Sequence, residues 1–149
     1  MSMAKIAKEE DVVGLFRNIM RPRQLRSEDI KNGREKIHIH GRGEYSCENC
    51  KHSWFSYFSW ITVDLIEKRI CKRWMMKCMH CLQPEKPHFE LEHIEYMIKT
   101  AVDIYKGEYV SKKRPYQHPG QRRPPHLPDL CEKCKWGEER CWEYKYRCQ

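Results

Sequence analysis

Cys47-Glu48-Asn49-Cys50 and Cys78-Met79-His80-Cys81 bracket residues 51–77, and the reading of that bracket decides the fold. Two thiols separated by two residues can grip one metal ion from a tight turn. Tetrahedral zinc takes four such ligands, so one pair must meet another. Residues 53–63, Ser-Trp-Phe-Ser-Tyr-Phe-Ser-Trp-Ile-Thr-Val, are aromatic and β-branched and read as a strand. It places Trp54, Phe58 and Trp60 on one face and Phe55, Tyr57, Ile61 and Val63 on the other. Asp64–Lys68 makes a turn, and Arg69–Lys77 returns with Ile70, Trp74 and Met76 on one face. The return brings Cys78 to the side of Cys50, which predicts a first site of Cys47, Cys50, Cys78 and Cys81. Cys71 lies mid-strand on the opposite face and reads as a small packed residue, not a ligand.

A third pair, Cys131/Cys134, has His126 ahead of it and Cys141 behind it. His126, Cys131, Cys134 and Cys141 form a local H-x4-C-x2-C-x6-C run and are the predicted second site. Cys148 competes with His126 as its fourth ligand, and a crossed arrangement joining the third pair to the first stays open. Closed four-ligand sites are structural. The composition asks for such staples: 149 residues with 34% charged and a mean hydropathy of −0.91 leave a poor core. Without an apolar stretch behind Met1-Ser2-Met3-Ala4-Lys5, no secretory signal is expected. A reducing, cytoplasmic setting, peripheral to intracellular membranes at most, then favours metal over disulfides. Two zinc ions per chain are expected, and their removal is expected to unfold it.

Around the cysteines the chain reads as α+β: a small zinc-ribbon-like antiparallel hairpin or sheet with one main packed helix, stapled by two structural zinc sites. Residues 1–42 are an N-terminal helix and basic connector, and 43–149 the three-CxxC domain. Val12, Val13, Phe16, Ile19 and Met20 give residues 9–20 a helical period, ended by Pro22. Ser27 caps a turn over Glu28–Ile30. Ile37-His38-Ile39-His40 is an edge strand with exposed histidines, and Gly33, Gly41 and Gly43 punctuate this region. Residues 91–106 are the main helix, with a stripe of Ile94, Ile98, Ala101, Val102 and Tyr105, Leu91 at its head, Phe89 just outside and Gly107 as its cap. Residues 111–130 hold Pro115, Pro119, Pro124, Pro125 and Pro128 with Lys112, Lys113, Arg114, Arg122 and Arg123, an irregular basic loop. Trp142, Tyr144 and Tyr146 alternate as a last edge strand.

The net charge of +8 admits nucleic acid, anionic membrane or an acidic protein as partner without choosing among them. No apolar run spans a bilayer, and neither a myristoylation glycine nor a CaaX box is present. Deaminase, P-loop, dinucleotide and Gly-x-Ser-x-Gly patterns are missing too, so no enzymatic activity is expected.

Four stretches carry a resemblance: Tyr45-Ser46-Cys47-Glu48-Asn49-Cys50-Lys51-His52-Ser53-Trp54; Cys78-Met79-His80-Cys81; Phe89-Glu90-Leu91-Glu92-His93-Ile94-Glu95; and Pro125-His126 followed by Cys131-Glu132-Lys133-Cys134 and Cys141. Over about residues 43–142 the chain resembles the three-CxxC zinc-binding domains, which include the receptor-transporting and zygote arrest proteins. The helix after the second pair looks more like the receptor-transporting branch, and Arg140–Tyr146 somewhat like the zygote arrest branch. The first resemblance implies an intracellular adaptor or chaperone that assists membrane receptors to the cell surface, here without the C-terminal span typical of that branch. The second implies a binder of messenger RNA. In that case Lys112, Lys113, Arg114, Arg122 and Arg123 would neutralise the phosphates of single-stranded RNA.

Overall fold

Helix α1, Glu9–Met20, opens the described part of the chain, residues 6–108 and 130–136 of a computed structural model. Its acidic first turn suits the helix dipole, and the Asp11 carboxylate accepts the Lys8 N–H at 3.1 Å. It ends in a Schellman turn: Leu25 N–H donates to Met20 O (3.1 Å) and Gln24 N–H to Arg21 O (3.0 Å). Gln24 takes the left-handed position, φ 54°, where glycine is usual. A 3-10 turn follows at Ser27–Asp29. The sequence reading gives its cap to Ser27. Instead the Asp29 carboxylate accepts the Arg26 N–H (3.2 Å), while the Ser27 hydroxyl donates to Ile66 O.

Strands β1 (Lys36–Ser46), β2 (Ser53–Asp64) and β3 (Arg69–Arg73) form an antiparallel sheet in the order β1-β2-β3. β1 is an edge strand, as its alternation predicts. It also runs through Gly41 and Gly43, which the sequence reading treats as punctuation, and through residue 42, where that reading places a boundary. The reason is close approach. A Cβ on Gly41 would lie 2.6 Å from Met97 Sδ, and one on Gly43 would lie 2.5 Å from Ser59 Cβ and 3.0 Å from Pro87 Cβ. The register slips between these glycines, a β-bulge. Gly43→Ala is therefore expected to destabilise by about 1–3 kcal/mol, because Ser59 is fully buried. Gly41→Ala should cost less, since its neighbour is the flexible end of Met97. Denaturant midpoints of the two variants check the ranking.

The β2–β3 turn is stapled by the Asp64 carboxylate, which accepts from Ile66 N–H (2.9 Å) and Glu67 N–H (3.0 Å). A second slip, between Thr62 and Val63, makes Cys71 the extra residue of β3. That bulge corrects the sequence reading of one face for Ile70, Trp74 and Met76. Ile70 packs on the main core, while Trp74 and Met76 join a second cluster, because one inserted residue inverts every side chain beyond it. Cys71 Sγ rests 3.3 Å from Thr62 O, and burial pushes its thiol up. The strand then breaks, and β4 (Met76–Lys77) pairs with β5 (Pro84–Glu85).

Helix α2, Leu91–Lys106, buries Ile94, Ile98, Ala101 and Val102 as its stripe predicts, with Met97 and Ile104 in addition. Gly107, φ 72°, closes it with the same Schellman geometry as α1. α2 packs on β1 and on α1, so the main core gathers Phe16, Ile19 and Met20 with Ile39, Ile61, Val63, Leu65 and Phe89. It is a larger core than composition suggests, because the N-terminal helix belongs to it. Helix α3, Glu132–Trp136, docks on the other side, where Met76 bridges Cys131, Glu132 N–H donates to Met75 O (3.0 Å) and the Glu132 carboxylate accepts Met75 N–H (2.9 Å). No helix of the described residues is long and apolar enough to cross a membrane.

Candidate metal centre

The first cysteine pair sits at the tip of the β1–β2 hairpin, between Ser46 and Ser53, and the second at the tip of the β4–β5 hairpin, between Lys77 and Pro84. The two tips are built alike. Cys47 N–H donates to His52 O (2.8 Å) and Lys51 N–H to Cys47 O (2.9 Å). Cys78 N–H donates to Gln83 O (2.9 Å) and Leu82 N–H to Cys78 O (2.8 Å). The residue after each second cysteine is left-handed, Lys51 at φ 64° and Leu82 at φ 63°. Neither is glycine, so each carries roughly 1–2 kcal/mol of strain. The sequence reading anticipates the β2–β3 return but not that the first pair is itself a hairpin turn, because the glycines in β1 mask that strand.

The tips face each other. Cys47 Sγ lies 3.3 Å from Cys81 Sγ, and Cys50 Sγ lies 3.5 Å from Cys78 Sγ. All four sulfurs fall within 4.8 Å of one another. Four sulfurs at about 2.3 Å from one zinc stand roughly 3.8 Å apart, so the quartet fits a tetrahedral ion with little adjustment. The donors are four soft sulfurs, which select zinc over hard cations. Cys47 and Cys78 are buried, whereas Cys50 is exposed.

Their protons are held unequally. The Gln83 N–H, followed by the Cys47 side chain, brings Cys81 down to about 7. For Cys50 the His52 N–H pulls down, but the contact with Cys78, burial and the contacts with Cys47 and Cys81 outweigh it and push the thiol up to about 12. Metal capture must expel these protons. Affinity is therefore expected to rise with pH and to fall steeply on acidification below pH ~7, where Cys81 also becomes protonated. A competition titration with a chromophoric chelator across this range reads the slope.

Cys131 and Cys134 lie outside this quartet. They are buried against Tyr45, Trp60 and Met76, with Trp54, Phe58 and Trp74 around them, which leaves the first site complete without the third pair. The other predicted ligands of the second site, His126 and Cys141, lie outside the described residues, as do Cys148 and the basic cluster Lys112, Lys113, Arg114, Arg122 and Arg123.

His38 and His40 are half-buried rather than exposed. His38 Nδ1 meets Thr62 Oγ1 at 2.7 Å beside Trp74, and His40 packs on Phe58 and Trp60. Burial, then Lys133 and Lys72, lower the His38 pKa. The cause is the register: His38 stands opposite Thr62 and His40 opposite Trp60 on the aromatic strand.

Residues 40–137 match the family model described as a zinc-binding domain with three CxxC motifs. The chain belongs to this family. Neither curated proteins nor solved structures match the chain. The zinc-binding domain takes zinc as its cofactor, and its Cys47/Cys50/Cys78/Cys81 quartet joins two hairpins that share few other contacts. When bound, the ion supplies a crosslink between them.

Proposed function

We propose that this zinc-binding domain is a non-enzymatic adaptor of the receptor-transporting type, which assists membrane receptors to the cell surface. The observation that carries the non-enzymatic part is the closed quartet: four protein sulfurs meet at one point and leave no ligand position for water or substrate. The ion then holds shape, and function rests with the surface it shapes. The receptor part rests on the sequence resemblance, chiefly the helix opened by Phe89-Glu90-Leu91.

A second reading, an RNA-binding regulator of the zygote arrest type, has one structural support. Tyr45, Trp54 and His52 stack in series, with centroid steps of 5.2 and 5.6 Å and near-parallel planes, and His80 of the other hairpin tip stands edge-on to His52. Trp54 and His52 are only half-buried, and rings of this kind accept unpaired bases.

Crosslinking the protein in its own cells, followed by recovery of RNA and of membrane proteins from the same sample, separates the two. Receptor recovery that persists after nuclease treatment supports the adaptor. Sequence-selective RNA at physiological salt, with no receptor, reverses the ranking.

A further inference from the structure

The family match begins at residue 40, yet α1 and the turns after it build a groove of about 750 Å³ that the zinc ribbon does not contain. Its floor is Met20 and Leu25, buried and apolar. Along one side stand Arg17 from α1 and Arg21 from its C-cap, joined by Lys68 from the β2–β3 turn. Arg17 and Arg21 are exposed and Lys68 is half-buried, and none of the three forms an ion pair among the described residues. Arg23, two residues after Arg21 in the basic connector, is turned away: its Nε bonds Asp103 Oδ1 (3.2 Å) and its Nη1 the Ile19 carbonyl (3.2 Å). At the far end Arg26 bonds both Glu28 Oε1 (3.4 Å) and Asp29 Oδ2 (3.3 Å), so that end carries a net negative charge. Two groove residues, Gln24 and Lys68, hold left-handed backbone without being glycine, at φ 54° and 56°. Strain of that kind collects at binding sites.

We infer that this groove binds an extended peptide segment of a partner protein, with clustered Asp or Glu against Arg17, Arg21 and Lys68, an apolar side chain over Met20 and Leu25, and a Lys or Arg against Glu28 and Asp29. The volume falls within the range of ligand-binding clefts, about 300–1,000 Å³. Charge order selects a peptide over nucleic acid. Among the described residues no ring lines the groove, so bases find nothing there to stack on, and the two carboxylates repel a continuous phosphate backbone. A thioether floor adapts to different apolar side chains. The groove is separate from the metal quartet, so its failure would leave the zinc-binding reading standing.

The test uses the full zinc-loaded chain and a fluorescent twelve-residue peptide with four glutamates, a central leucine and two terminal lysines. The controls are a peptide of the same composition with alternating charges and an oligouridylate of equal net charge. The first peptide should bind at least about fivefold more tightly than its control, weaken with salt, and shift the backbone amide resonances of residues 17–29 and 68. Arg17→Glu with Arg21→Glu should weaken it at least tenfold and Lys68→Gln about threefold, with zinc content unchanged and the melting temperature little changed, since Arg17 and Arg21 are exposed and Lys68 is only half-buried. Glu28→Lys should weaken this peptide but not one without lysines. Replacing Lys112, Lys113, Arg114, Arg122 and Arg123 by alanine should leave its affinity as it was. The inference is overturned if the alternating peptide or the oligouridylate binds the same amides as tightly. It is also overturned if the five-alanine chain, rather than the α1 variant, loses the peptide.

Discussion

Cys78→Ser is expected to leave the chain one zinc short and to melt its metal end. The sulfur is fully buried and 3.5 Å from Cys50 Sγ, so its removal breaks the tetrahedron from inside. A structural zinc contributes on the order of 10–16 kcal/mol apparent, which is comparable to the whole stability of a typical domain at ~5–15 kcal/mol. What else holds the two hairpin tips is slight. β4 and β5 pair over two residues each, and the cluster behind them is Tyr45, Trp60, Met76, Cys131 and Cys134. Trp60 lies in that cluster and Trp54 and Trp74 border it, so near-UV circular dichroism and tryptophan emission read the metal end directly. The main core is a separate cluster formed with α1 and α2. Far-UV signal from the two helices should consequently outlast the tryptophan signal, in Cys78→Ser and in chelated wild-type protein alike. Cys71→Ser is the matched control: its Sγ meets Thr62 O, away from the quartet, and the variant should keep full zinc. Equal zinc loss in both variants, or an unchanged near-UV spectrum after chelation, would show that the quartet does not hold this end together.

The two-tip metal site was legible because its signal is covalent and local. A Cys-x-x-Cys pair is a half-site wherever it lies, and strand β2 between the first two pairs announces itself by composition. Helix α2 was legible for a related reason: its apolar stripe and Gly107 agree with each other. What stayed hidden turns on single residues whose meaning is tertiary. Gly41 and Gly43 look like breaks until Met97, Ser59 and Pro87 are seen pressed against them. Cys71 makes the bulge that sends Trp74 to the other side of the sheet from Ile70, and no alternation pattern encodes an inserted residue. The histidines of β1 read as exposed because nothing local says that aromatic side chains of β2 will lie beside them. Composition understates the core for the same reason: an average over the chain is blind to how α1 concentrates its apolar residues on one face.

Phe16→Ala is the substitution that weighs α1 against the rest. The ring is fully buried in the cluster that also holds Ile61, Leu65, Phe89 and Ile98, although residue 16 lies well before the family match at residues 40–137. Were α1 an appendage on a self-sufficient zinc ribbon, its removal would hardly be felt at the metal. The packing says otherwise. α1 lies against both α2 and β3, and Ala7 N–H donates to Phe89 O (2.9 Å) just before α2 begins. Truncating a buried phenylalanine costs about 3–5 kcal/mol through lost transfer energy and the cavity left behind. For a chain of this length that lowers the melting temperature by roughly 10 °C. The loss should appear first in the helical signal while the zinc quartet still holds its ion, the reverse of the order expected for Cys78→Ser. Opposite orders in the two variants would establish two cores joined through one sheet, with the zinc answering for one and α1 for the other. A melting temperature within a degree or two of wild type, with zinc retained, would instead make α1 a dispensable neighbour, and would place the groove it carries outside the folded domain.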